Sequence, residues 1–273
     1  MVTLILNCME GPVQLILARP APAQNNQPDA DGALAIVDAV CWEPEGQGAE
    51  TLVPNLSDLL KKNKLTTAHI GRIACVRGPG SFTGIRLALT TALGLSRSIS
   101  ASPTLAGLDY LPLLAATMEE KIVTSCPNST RGSIWVLTHA RRGQVHIQGF
   151  EIKTKLSPLN NAEGCMVETA VETIRSHCKP DNPVYLCGSG LVRNLEQFST
   201  ALPKATILED QIYPSLEVLA QAAGLAEYSR KPVEPLYLRA SDAEENLPYI
   251  AAGLGLDPHQ AMLDLLKLTG RSQ

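Results

Sequence analysis

The chain has 273 residues, of which 45% are hydrophobic and 18% charged, with a net charge of −4. That is ample for one large or two modest cores, but only 4% is aromatic, so packing has to rest on Leu, Ile, Val and Ala. The acidic balance argues against a protein that grips nucleic acid alone, because phosphate binding needs a basic face.

The N-terminus has no basic region and runs straight into Leu4-Ile5-Leu6. With no apolar run of about 18 residues, this predicts a cytoplasmic protein. Residues 3–6 and 13–18 predict two strands joined by a turn at Glu10-Gly11-Pro12. The stretch 20–32, rich in Pro, Ala, Gln and Asn, reads as a long flexible hairpin tip, and 34–40 resumes a strand. Leu52, Leu56, Leu59 and Leu60 recur at helical spacing, which predicts an amphipathic helix over about 50–62.

A short apolar strand follows at 73–76, then Arg77-Gly78-Pro79-Gly80-Ser81-Phe82-Thr83-Gly84-Ile85-Arg86, then a helix over 83–98. Strand, glycine turn and helix N-terminus is the geometry from which proteins build anion sites, which makes Gly78, Gly80, Ser81, Thr83, Gly84 and Arg86 the anion-loop candidates. It is not a P-loop, because Ile85 stands where the phosphate-reaching lysine would be. It is not a dinucleotide fingerprint, because the spacing G-x-G-x-x-x-G is one residue too long. Nor is it a nucleophile elbow, since Ser81 lacks the G-x-S-x-G frame. A plain tight turn remains the competing reading. Arg86, a cation in a first helical turn, opposes the helix dipole and calls for an anionic partner. The helix 83–98 is apolar almost all round and thin, with Ala88, Thr90, Thr91, Ala92, Gly94 and Ser96. It lies either inside the domain or against another subunit.

Beyond it, 108–118 predicts a helix, 134–138 and 145–150 a hairpin, and 166–177 a helix. Strand 184–187 leads into Gly188-Ser189-Gly190 and another helix, and 216–228 reads as a helix. Strands opening each half, with helices after them, suggest two α/β units of similar build.

Cys8, Cys41, Cys75, Cys126, Cys165, Cys178 and Cys187 include no C-x-x-C pair, and most lie in apolar runs, as reduced core cysteines do. His69, His139, His146, His177 and His259 include no H-x-x-x-H pair, so no metal site is expected. His139 and His146 read as an exposed cross-strand pair. Ser176-His177-Cys178-Lys179 contains S-x-x-K without a plausible base, so no catalytic residue is assigned.

Gly78 to Arg86 followed by a small-residue apolar helix resembles the signature of the TsaB (YeaZ) family. His139-Ala140-Arg141 with Gly143-Gln144-Val145, the turn Gly188-Ser189-Gly190, and Pro235-Leu236-Tyr237-Leu238-Arg239 are similar to that family's later motifs, in the same order, so the resemblance covers roughly 3–240. It implies an α/β fold of two related actin-like (ASKHA, ribonuclease-H-like) lobes. The expected division is an N-terminal lobe at 1–106, a C-terminal lobe at 107–240 and a helical tail at 241–273 packing on the body. The resemblance further implies a non-catalytic accessory subunit, without cofactor, that binds the catalytic TsaD-type subunit. That complex, with a TsaE-type ATPase and TsaC-supplied threonylcarbamoyl-adenylate, modifies the tRNA adenosine next to the anticodon. Contact with tRNA runs only through the complex, and a homodimer is expected when the partner is absent.

Leu52, Leu56, Leu87, Thr91 and Leu95 are the interface candidates. Two departures bear on chemistry: Asn7-Cys8 stands where the family has Asp-Thr, and His139 where its hairpin has Asp. Both places thus lack a carboxylate that could hold magnesium. The rival readings are a catalytically active actin-fold carbamoyltransferase or ATPase, and a nucleotide-binding module.

Overall fold

A computed structural model describes residues 1–22, 32–43, 49–125, 131–153, 155–180, 182–210, 212–238 and 242–269. The core of the proline-rich insertion, Cys126 and Arg239 lie outside the described residues. The chain forms two compact units, Met1–Leu236 and Tyr237–Gln273.

The first unit opens with β1 (Val2–Asn7), β2 (Val13–Pro20) and β3 (Leu34–Trp42), an antiparallel meander. Then come α1 (Ala49–Lys62), β4 (Ile70–Gly78) parallel to β1, α2 (Phe82–Ser98), and β5 (Thr104–Asp109) parallel to β4. The sheet order is β3-β2-β1-β4-β5. Next, α3 (Tyr110–Ser125) leads to a second series: β6 (Gly132–Arg141), β7 (Gln144–Ile152), β8 (Ser157–Pro158), β9 (Glu163–Met166), α4 (Val167–His177), β10 (Val184–Cys187), α5 (Ser189–Arg193), α6 (Leu195–Ala201), β11 (Thr206–Leu208) and α7 (Leu216–Leu225).

The second sheet repeats the first. β6 and β7 pair antiparallel as β1 and β2 do, with β8 and β9 sharing the place of the third strand on β7. β10 runs parallel to β6 as β4 does to β1, and β11 stands where β5 stands. The fold is therefore α/β with two related lobes of actin-like topology.

Every residue of β1 is buried, so its sheet must be covered on both faces. The crossovers from β3 to β4 and from β4 to β5 progress in the same direction, and right-handedness puts α1 and α2 on one face. α7 returns from the end of the second series to β1, β2, β3 and β5, and α3 bridges β4 and β5 to β6 and β7. In the second lobe Trp135, Leu137, Val145, Ile147 and Leu186 of the sheet meet Val171 and Ile174 of α4 and Phe198 of α6. Burial of Val167, Ala170, Val171 and Ile174 follows the i, i+3, i+4, i+7 stripe of an amphipathic helix.

Several expectations change. Strand β5 was hidden because Thr104-Leu105-Ala106-Gly107 carries small residues. Gly107 is needed there, since a Cβ would come within 2.7 Å of the Arg77 side chain. Residues 163–166 pair with β7 as β9, so the helix begins at Val167. His146 lies opposite Thr138, not His139, and is buried, with Nδ1 3.3 Å from Thr138 Oγ1. A one-residue offset in register sends the two histidines to opposite faces. Of the cysteines, Cys8, Cys75 and Cys187 are buried, Cys165 is partly buried, and Cys41 and Cys178 are exposed; all six are free thiols.

The second unit holds α8 (Asp242–Gly253) and α9 (Pro258–Thr269), packed on each other. Gly255, at φ +72°, ends α8, with Leu256 N–H donating to Ala251 O at 2.9 Å as in a Schellman turn. The Asp257 carboxylate caps α9 by accepting from His259 N–H at 2.9 Å. Among the described residues no helix is long and apolar enough to cross a membrane.

Leu52 and Leu56 point from α1 into the first lobe, 0% and 4% exposed. Leu52→Ala or Leu56→Ala is expected to lower the unfolding free energy by about 2–5 kcal/mol, read by chemical denaturation, as for other large-to-small core changes.

Candidate functional site

The site is the joint between the end of β1 and the glycine turn after β4. At that end the Asn7 side chain is fully buried. Its Nδ2 donates to Gln14 Oε1 at 2.7 Å and its Oδ1 accepts from Met9 N–H at 3.2 Å. Gln14 Nε2 in turn donates to Pro214 O at 3.0 Å. The carboxamide thus braces the chain at the end of β1.

The next residues run directly under the glycine turn. A Cβ on Gly84 would collide with the Cys8 carbonyl oxygen, and one on Gly80 would come within 3.3 Å of Met9 Sδ. Gly78 lies beside the Leu236 carbonyl, and Leu236 N–H donates to Arg77 O at 2.8 Å. Ser81 caps α2: its Oγ accepts from Gly84 N–H at 3.4 Å, and its carbonyl accepts from Ile85 N–H at 2.9 Å. Gly78 and Gly84 therefore face the protein's own backbone and Gly80 the Met9 side chain, and the cap takes up donors that an anion would need.

Two other anion-loop candidates, Thr83 and Arg86, are exposed, and Arg86 belongs to none of the ion pairs found among the described residues. The arginine with a carboxylate partner is Arg77, whose Nε lies 2.6 Å from Asp109 Oδ1 across β4 and β5. Being about a third exposed on both sides, that pair adds at most about 1 kcal/mol.

The second lobe repeats the joint. Gly188, at φ +105°, sits where a Cβ would strike the Leu137 carbonyl oxygen, and a Cβ on Gly190 would lie 2.7 Å from the Thr138 carbonyl oxygen. Ser189 Oγ accepts from His139 N–H at 2.9 Å and donates to Glu10 Oε2 at 2.5 Å. Glu10 thus joins the β1–β2 turn of the first lobe to the glycine turn of the second. Burial pushes its carboxyl up to about 7, against the lowering effect of Ser189, the His139 N–H and the Arg193 charge. Tyr110 of α3 is fully buried and pushed well above its ordinary range, by burial and then by Glu10. Its hydroxyl donates to Ile212 O at 2.8 Å. Glu10 read only as a turn residue in the sequence, because its partner stands 179 positions away.

Burial drives the Cys8 and Cys75 thiols up to about 12, which keeps them protonated and non-nucleophilic at neutral pH. Among the described residues no group of three His, Cys, Asp or Glu could hold a metal ion.

Helix α2 buries Gly84, Ile85, Ala88 and Ala92 against the sheet. Its opposite edge is a narrow polar strip of Arg86, Thr90 and Arg97, so the helix does have a solvent side. Between strip and sheet lie Leu87, Thr91 and Leu95, all half-buried, next to exposed Gly94, where an added Cβ would meet nothing within 4 Å. On α1, Val53 is 61% exposed. The five interface candidates are thus divided: Leu52 and Leu56 are core, while Leu87, Thr91 and Leu95 line one accessible flank.

A family model described as TsaD, tRNA N6-adenosine threonylcarbamoyltransferase, matches residues 47–154. The tRNA threonylcarbamoyladenosine biosynthesis protein TsaB of Buchnera aphidicola is 43% identical over 49 residues, which are 18% of this chain and 22% of that relative. The chain thus spans about a fifth of the length of the curated relative it matches. Two solved structures from Pseudomonas aeruginosa share the fold. One, YeaZ, has a TM-score of 0.61 at 17% identity; the other, a protein with similarity to peptidase YEAZ, has a TM-score of 0.63 at 18% identity. Each alignment covers 87% of this chain and 99% of the other.

The tight joint predicts opposite outcomes for two glycines of one helix. Gly84→Ala should lower stability by about 1–3 kcal/mol, because the added methyl has only backbone to displace. Gly94→Ala should be neutral or stabilising by up to about 1 kcal/mol, since it meets open space in a helix interior. Thermal and urea unfolding of the two variants checks both.

Proposed function

We propose that this chain, which belongs to the TsaB (YeaZ) family, is a non-catalytic accessory subunit in threonylcarbamoylation of the tRNA adenosine next to the anticodon. Its mechanism is association with a cytoplasmic TsaD-type catalytic subunit. A TsaE-type ATPase completes the assembly, and tRNA is reached through the complex. The observation that carries this reading is the flank of α2. Leu87, Thr91 and Leu95 offer a half-buried apolar stripe, and Gly94 beside it lets a second backbone approach closely. Covering such a stripe removes apolar area from water without repacking the lobe. Alone, the same face is expected to self-associate.

The rival reading, a transferase or ATPase, draws on the TsaD match over 47–154. That segment excludes the end of β1, where Asn7 supplies a carboxamide bonded to Gln14 and Met9. The glycine turn is also closed by Cys8, Met9 and Leu236. Both support an accessory role, since a phosphoryl site needs room and a metal-binding carboxylate.

The test is complex formation with the TsaD-type subunit of the same organism, read by calorimetry. Gly94→Glu adds a charge at a position that packs on nothing in this chain, and Leu87→Glu adds one to the stripe. Each should weaken binding at least about tenfold, or about 1.4 kcal/mol, with unfolding unchanged for Gly94→Glu. Wild-type affinity in both variants would place the contact on another surface. ATP turnover by the purified chain alone would favour the rival.

A further inference from the structure

Between Asp58 and Asp109 the chain holds no acidic residue, although the whole protein has a net charge of −4. Most cations of that segment are matched from its borders or beyond. Lys61 lies 3.5 Å from Asp58, Lys62 2.9 Å from Asp38 and Arg77 2.6 Å from Asp109, while the Arg72 guanidinium stands 5.1 Å over the Tyr228 ring. Arg86 and Arg97 of α2 differ. Both are exposed, and neither belongs to an ion pair among the described residues, nor does Lys64 in the turn after α1.

Arg86, Thr90, Gly94 and Arg97 stand at i, i+4, i+8 and i+11, which sets them in one exposed row along α2. A rise of about 1.5 Å per residue puts the two arginines about 16 Å apart, with Gly94 between them. The Thr90 hydroxyl is turned back to Arg86 O at 2.6 Å, so the arginines supply the polarity of the row. The first turn of α2 has no acidic residue, and Arg86 opposes the helix dipole there. A carboxylate placed opposite it relieves that conflict.

We propose that Arg86 and Arg97 select the occupant of this flank: an acid-bearing face of the TsaD-type subunit, in preference to a second copy of this chain. The inference rests on the reading of the α2 flank as the partner contact. A second copy seated by a two-fold axis brings like charges together. Antiparallel pairing about the middle of α2 sets each Arg86 opposite the other copy's Arg97, and parallel pairing sets each arginine opposite its own counterpart. Specificity then comes from repulsion in the wrong pair as well as attraction in the right one. An RNA backbone could meet the same cations but would leave Leu87, Thr91 and Leu95 uncovered, which favours a protein face.

The two complexes should respond to salt in opposite directions, because screening weakens attraction in one and repulsion in the other. Between about 0.05 and 0.5 M sodium chloride, affinity for the TsaD-type subunit should fall about fivefold by calorimetry, and the homodimer should tighten about threefold by sedimentation. The double variant Arg86→Gln, Arg97→Gln removes both charges from exposed positions. At low salt it should bind the partner about fivefold more weakly and itself about threefold more tightly, with both salt responses flattened and no loss of stability in urea. Selection is overturned if the variant keeps wild-type affinity and salt response, or if its homodimer is no tighter. It is also overturned if the variant assembles normally and the complex instead loses affinity for tRNA, which makes the row an RNA contact. In either case a disruptive Leu87→Glu leaves the docking reading of the flank standing. If Leu87→Glu and Gly94→Glu are also without effect, the contact lies elsewhere and both readings fall.

Discussion

The contact on which both lobes depend is backbone against backbone: the end of the first strand pressed onto the glycine turn after the fourth. In one lobe the Cys8 carbonyl meets Gly84, and in the other the Leu137 and Thr138 carbonyls meet Gly188 and Gly190. No side chain fits there, so at Gly84 and Gly190 the residue type is dictated by contact with other parts of the chain, and at Gly188 by that contact together with a φ of +105°. The contact fixes where the following helix starts relative to the first strand. In the first lobe it aims the α2 N-terminus across the sheet, with Ser81 closing the cap. A loop that looks built for an anion in isolation becomes, once the first strand is in place, a packing surface.

That joint also determines what α2 can offer outward. A helix launched close to the sheet has to be thin on its inner side, which Gly84, Ala88 and Ala92 provide. The bulk moves to the flanks, where Leu87, Thr91 and Leu95 are only half covered. The apolar character of 83–98 therefore combines two demands. One is a tight seat on the protein's own sheet, and the other is an accessible stripe beside it. Pattern alone could not divide them, because an all-round apolar helix has no preferred inner side.

What the sequence revealed and what it hid divide along the same line. Long periodic elements were legible: α1, α2, β1, β2 and the β6–β7 hairpin all sit within a few residues of their expected ranges. Period and turn chemistry are local, and they decided these. Leu52 and Leu56 were legible as an apolar stripe but not as core, since spacing shows that a face is buried without saying against what. β5 and β9 were missed because they form only by pairing with β4 and β7. His146 was misplaced because the hairpin register shifts between His139 and Arg141, an irregularity no residue type announces. Glu10 was the largest omission at the site, since its meaning comes from Ser189 and His139 in the other lobe.

The two joints are equivalent in topology but are completed differently. In the first, the returning segment closes the turn, with Leu236 N–H bonded to Arg77 O just ahead of Gly78. In the second, the closing group is the Glu10 carboxyl from the opposite lobe. Two polar positions three residues apart serve different lobes. A carboxamide at Asn7 braces the end of β1 through neutral hydrogen bonds, which a charged group could not do without a counter-ion. The acid three residues on turns instead toward the second lobe, where a hydroxyl and a backbone N–H receive it. The contact between the lobes at this point is thus made by the protein's own polar groups, Glu10 of one and Ser189 of the other.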